Sequence, residues 1–165
     1  MSKTPIVRPV SIAGSVVTLI VLALFLILGW LLSGSLIGVA VGSLVFVVVS
    51  KTLRAVIGRH HNRGISHCKR QEFERAIPEF KTSYEFFDQN SWIDRYRCIV
   101  MLSTAAMCYR EMALVSLGFC YSQIGDGSNA RKHYQKCVDL FPDSGFAKSA
   151  LNLMDAAAQA NNAAE

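Results

Sequence analysis

No acidic residue occurs before Glu72, and no charged residue of either sign lies between Arg8 and Lys51. Soluble domains scatter charge over their surfaces, so an uncharged stretch from Pro9 to Ser50 excludes a simple soluble protein. The chain also lacks a Cys-x-x-Cys pair, a phosphate-binding glycine loop, a paired-carboxylate signature and any inferable Ser-His-Asp arrangement. Catalysis therefore finds no support in the sequence, and the chain reads as a non-enzyme without a cofactor. Alternating strand patterns are missing, and beyond Arg63 proline is confined to Pro78 and Pro142. These gaps leave helices as the regular element and point to an all-α chain.

What is present is an uneven distribution of charge. The 165 residues carry a formal net charge of +5. The first 63 residues hold only basic groups: Lys3, Arg8, Lys51, Arg54, Arg59 and Arg63. The remainder holds eleven basic and twelve acidic residues and is nearly neutral. A nucleic-acid surface would need basic residues interleaved with aromatics, which Arg54–Arg63 lacks, so no nucleic-acid partner is expected.

A single helix over residues 10–50 would be roughly 61 Å long at ~1.5 Å per residue, about twice the hydrocarbon thickness of a bilayer. Two spans fit better, over about 10–32 and 36–56, with the break at Ser33-Gly34-Ser35 after the interface-suited ring of Trp30. A cleaved signal peptide is disfavoured. Its apolar region runs about 7–15 residues, whereas this run is longer and a second follows at once. Lys3 and Arg8 flank one end of the hairpin, Lys51, Arg54, Arg59 and Arg63 the other, and the turn has no charge. Basic flanks stay cytoplasmic, which predicts a multi-pass integral membrane protein with both termini and the segment beyond residue 57 in the cytoplasm. The later cluster can also attract anionic lipid head groups. Gly34, Gly38 and Gly42 recur at intervals of four and align on one helix face. That face receives either the first span of the same chain, through Gly14, Ser15 and Thr18, or a second copy.

After residue 57 an internal repeat is visible. Leu117-Gly118, Tyr121, Ala130, Tyr134, Cys137 and Pro142 follow one spacing, with a turn at Gly125-Asp126-Gly127. Gly64, His67, Ala76, Phe80 and Ser83 occupy the corresponding earlier places, with Arg63 and Asp88 as departures. This pattern resembles the tetratricopeptide repeat family, over residues 57–90 and 111–144, with Leu114 where the family usually has Trp. The resemblance implies paired antiparallel helices, Ile57–Lys69 with Glu72–Phe87 in the earlier repeat. It also implies a groove lined by first-helix side chains: Met112, Val115, Phe119, Ser122 and Gln123 from the later repeat, and His61, Ile65, Cys68 and Lys69 from the earlier one. Such a groove, apolar and with few charges, suits an amphipathic helix or an apolar segment of a protein partner. A helix over 145–158, N-capped by Ser144, is expected to cover the last repeat through Phe146, Leu151 and Met154, with a disordered tail over 159–165.

Residues 91–110 form an insertion. Ser91 and Asp94 have the spacing of a capping box, and Trp92, Tyr96, Ile99, Val100 and Ala106 suggest an apolar face. A helix is expected from near Trp92, either continuous with the following one or broken near Ser103-Thr104. Its role is filler for a missing third repeat, a lid, or a partner-binding face, the first being favoured. His60, His61, His67 and Cys68 do not match zinc-ligand spacing, and His60 and His61 are expected to be solvated. The five cysteines, 68, 98, 108, 120 and 137, read as small buried residues of a reduced compartment, with Cys108 and Cys120 as a conceivable redox pair. The reading that joins these features is a membrane-anchored scaffold or adaptor. The alternative is a homo-oligomeric pore or channel-like subunit assembled through a glycine zipper.

Overall fold

The computed structural model describes residues 12–102 and 104–164, with side chains to residue 160. Lys3, Arg8 and the first residues of the expected hairpin lie outside the described part. Among the described residues the chain is all-helical, with helices α1 (Ile12–Ser33), α2 (Leu36–Ile57), α3 (Arg59–Lys69), α4 (Phe73–Gln89), α5 (Ser91–Arg95), α6 (Arg97–Val100), α7 (Tyr109–Gln123), α8 (Gly127–Leu140) and α9 (Gly145–Ala164). They divide into two compact units. One contains α1, α2 and the segment Ser91–Cys108; the other contains His60–Asn90 and the chain from Tyr109 onward.

In the first unit, α1 and α2 have 22 residues each and are long and apolar enough to cross a membrane. Each is about 33 Å long, matched to a hydrocarbon core of about 30 Å. None of the most apolar stretch of α1 is buried and only 22% of that of α2 is. A core helix of a soluble protein would show the reverse. The turn is made by Gly34, whose φ of 62° is the left-handed conformation that glycine adopts without strain. Its N–H donates to the Trp30 carbonyl at 2.7 Å. Hydroxyls within the helices turn back on their own backbones, Thr18 Oγ1 donating to Gly14 O at 2.8 Å and Ser50 Oγ to Phe46 O at 2.7 Å. A water-free surrounding demands such internal satisfaction.

The insertion departs from expectation. It breaks at Tyr96 and ends at Val100 instead of forming one long helix. The Arg97 side chain explains the break: its guanidinium donates to the carbonyls of Asp94 (3.1 Å), Ala105 (3.1 Å) and Ala106 (2.6 Å), folding the chain back on itself. Leu102 has a φ of 48°, which ends any helical continuation. The segment belongs with α1 and α2, so it does not stand in for a third repeat.

In the second unit, α3 pairs with α4 and α7 with α8. One apolar cluster gathers Ala76, Ile77, Phe80, Leu117 and Cys120, with Ile65, Cys68, Phe73 and Tyr121 around it. A second gathers Leu114, Ala130, Tyr134, Cys137 and Ala147, flanked by Tyr84, Val115, Leu151 and Met154. Fully burying a Leu or Phe side chain contributes about 1.5–3 kcal/mol, so these clusters dominate the stability of the unit. Asp126 caps α8 by accepting the Asn129 N–H at 3.0 Å. Helix α9 packs through Ala147, Leu151 and Met154, whereas Phe146 points to solvent instead of covering the repeat. It continues to Ala164 where a disordered tail was expected, in keeping with the high helix propensity of its alanines.

Candidate partner-binding surface

The two helical hairpins are built on one contact. A Cβ added at Gly64 would lie 2.7 Å from the Phe80 ring, and one added at Gly118 would lie 2.6 Å from the Tyr134 ring. In each hairpin the glycine precedes the aromatic by sixteen positions. The other matched pairs, Ala76 with Ala130 and Ser83 with Cys137, are all buried. Glycine lets the first helix lie on the ring of the second, and burial pushes the Tyr134 phenol up to about 12.

The expected groove residues divide. Phe119, Ser122 and Gln123 are exposed on α7, while Met112 and Val115 are half-buried. Val115 packs on the second cluster and Ile65 on the first. Phe119 meets the Phe73 ring edge-on at 5.9 Å, so α4 contributes an aromatic to this face that sequence spacing did not assign. Together Ile65, Phe73 and Phe119 form a half-open apolar edge beside the first cluster. Lys69 is exposed at the end of α3.

His61 is not a groove residue, nor is it solvated as expected. It is buried, with Phe80 at 5.5 Å and Tyr109 at 5.3 Å, both edge-on to its ring. His60 Nδ1 lies 2.7 Å from Glu79 Oε2 and His67 Nδ1 lies 2.7 Å from Glu72 Oε2. The bond from His67 holds the Glu72 carboxyl below its ordinary value. These pairs place the histidines in helix-to-helix contacts. Among the described residues no three His, Cys, Asp or Glu side chains gather where a metal ion could be held.

The cysteine pair that does meet is Cys68 with Cys120, Sγ to Sγ at 3.3 Å, and not Cys108 with Cys120. Both are free thiols. The hydrogen bond from Cys120 lowers the Cys68 pKa, and the same bond together with burial raises that of Cys120. Cys137 is raised by burial. No local signal links positions 52 residues apart, which is why spacing missed this pair.

Within the first unit the three glycines do different work. Gly38 and Gly42 are buried, and a Cβ at either would lie 2.1 Å from Gly29 O or 2.4 Å from Phe25 O. The helices touch backbone to backbone there, and Phe25 meets Phe46 edge-on at 5.8 Å. The first span contributes Gly29 and Phe25, not the expected Gly14, Ser15 and Thr18. Gly34 has nothing within 4 Å of a Cβ and serves the turn alone. Of the described basic residues, Lys51, Arg54, Arg59 and Arg63 are exposed. Arg54 Nε still donates to Met101 O at 3.1 Å.

Comparison of the chain with protein-family models, with curated proteins and with solved structures gives no match.

Proposed function

We propose that the chain is a two-span membrane protein that holds a pair of tetratricopeptide-type helical hairpins at the cytoplasmic face as a docking module for a protein partner. The observation that carries the repeat assignment is the duplicated glycine-on-aromatic contact, Gly64 on Phe80 and Gly118 on Tyr134, at identical spacing. Repeats of this kind work by presenting first-helix side chains, and the Phe119–Phe73 edge supplies an apolar anchor of the type that interfaces are built around. Orientation rests on the basic residues flanking the open end of the hairpin and the uncharged turn. Anchoring raises the local concentration of a partner that visits the same membrane.

The glycine face is occupied by the first span of the same chain, which favours a docking module over a homo-oligomeric pore built through that face. In-cell photocrosslinking from position 119, with position 135 on the exposed side of α8 as control, tests the proposal. A partner protein captured from 119 and not from 135 is expected. Recovery of this chain alone from 119 would overturn the docking role.

A further inference from the structure

The segment Ser91–Leu102 is turned the wrong way for water. Trp92, Tyr96 and Ile99 are 56%, 52% and 57% exposed, at i, i+4 and i+7 of a nearly continuous helical path. Tyr96 N donates to Trp92 O and Val100 N to Tyr96 O, both at 2.9 Å, so the path continues through the junction of α5 and α6. On the opposite side the acidic Asp94 is buried, together with Met101 and Leu102. A helix in contact with water places its charge outward and its aromatics inward. This one does the opposite, with the two residue types most enriched at membrane–water boundaries on the outside.

Its position in the first unit gives the reason. Arg54 near the end of α2 donates to the carbonyls of both Met101 and Leu102, and α6 packs against α1. The segment is thus fastened to the hairpin helices, on a residue of the basic collar that marks where α2 leaves its uncharged stretch. We infer that α5 and α6 lie in the interfacial layer of the bilayer that α1 and α2 cross, with Trp92, Tyr96 and Ile99 inserted at the boundary between head groups and acyl chains. This rests on the reading of α1 and α2 as membrane spans. The occupant of the exposed stripe is lipid because the stripe continues the lipid-facing surface of the hairpin, and a Trp–Tyr–Ile edge matches the mixed polarity of that layer.

The chain has two tryptophans, so each can report alone. Full-length protein carrying Trp30→Phe leaves Trp92 as the sole emitter, and Trp92→Phe leaves Trp30. Both are reconstituted in phosphatidylcholine vesicles containing lipids brominated either near the head group or near the chain ends. The expected result is blue-shifted Trp92 emission, poor quenching by acrylamide, and stronger loss of intensity with bromine near the head group. Quenching of Trp30 by brominated lipid while Trp92 responds only to acrylamide would overturn the inference and leave the spans standing. Failure of brominated lipid to quench either residue would overturn both. Trp92 shielded from acrylamide and untouched by brominated lipid would mean that protein, not lipid, covers the stripe. Quenching strongest with bromine near the chain ends would contradict an interfacial depth.

Discussion

In α1 and α2 the small residues face inward and the large apolar ones outward, whereas in the hairpins α3–α4 and α7–α8 the order is reversed. Gly29, Gly38 and Gly42 meet backbone across the first pair, while Leu24, Leu28, Val41 and Leu44 are exposed. Gly64 and Gly118 meet aromatic rings in the second set, and Phe80, Leu114 and Leu117 are the core. Burying leucine drives assembly only where water is the alternative; in lipid, close packing of small residues replaces it. One chain thus uses glycine for contact in both regions, with the partner chosen by the solvent.

The comparison can be broken most strongly in the second unit. Phe80→Ala or Tyr134→Ala is expected to cost about 3–5 kcal/mol, because each removes a buried ring and leaves a glycine facing a void. Phe25→Ala, on a ring already half-exposed, is expected to cost clearly less. Chemical unfolding in detergent micelles, followed by circular dichroism, checks the contrast. Equal losses at the two sites would erase the distinction drawn here.

A smaller effect is expected at the glycine seam. Gly38→Leu puts a side chain against the Gly29 carbonyl and should separate the spans at a cost of about 1–3 kcal/mol. Gly34→Leu meets no neighbour and carries only the ~1–2 kcal/mol of left-handed backbone strain. Energy transfer between probes on the two spans separates the cases, falling for Gly38→Leu and holding for Gly34→Leu. If Gly38→Leu instead dissolved an oligomer while the spans stayed together, the glycine face would belong to a second copy.

How much of this was legible depended on whether the signal was local. The apolar hairpin was written in composition, and the glycine-to-aromatic spacing of both hairpins was readable because each contact lies within about one helical pair. The face of α1 that meets α2 was not readable, since nearly every residue of that helix is apolar and no polar side marks its orientation. Gly29 and Phe25 were therefore missed in favour of Gly14, Ser15 and Thr18. The break at Tyr96 depends on Arg97 reaching the carbonyls of Ala105 and Ala106, a fold-back that helix propensity does not register. The burial of His61 was obscured in the same way, because its ring neighbours Phe80 and Tyr109 are remote in sequence.

Two finer predictions concern titration in the second unit. Asp126 is held below its ordinary value by the bonds from Asn129 at the start of α8. A depressed folded value means that its contribution is present above the unfolded value near 3.8 and is lost as pH falls through the folded one. Asp126→Ala should lower the thermal midpoint at pH 7, and the difference from the parent chain should shrink toward pH 3. A gap that widened on acidification would contradict the cap. Smallest in structural consequence is thiol reactivity, which follows thiolate content. Cys68, lowered and half-exposed, should alkylate with iodoacetamide at pH 7.5 faster than Cys137, which is buried and raised. Mass spectrometry of timed samples ranks the two, and an inverted order would place the Cys68–Cys120 contact in doubt.

The most direct test of the central claim is sidedness. Ser35→Cys in the hairpin turn and Ser128→Cys in α8 are each treated with a membrane-impermeant maleimide on intact cells, and labelling is compared with that of the parent chain. A two-span anchor with a cytoplasmic docking module predicts labelling of Ser35→Cys from outside and of Ser128→Cys only after permeabilisation. Labelling of Ser128→Cys on intact cells would contradict it.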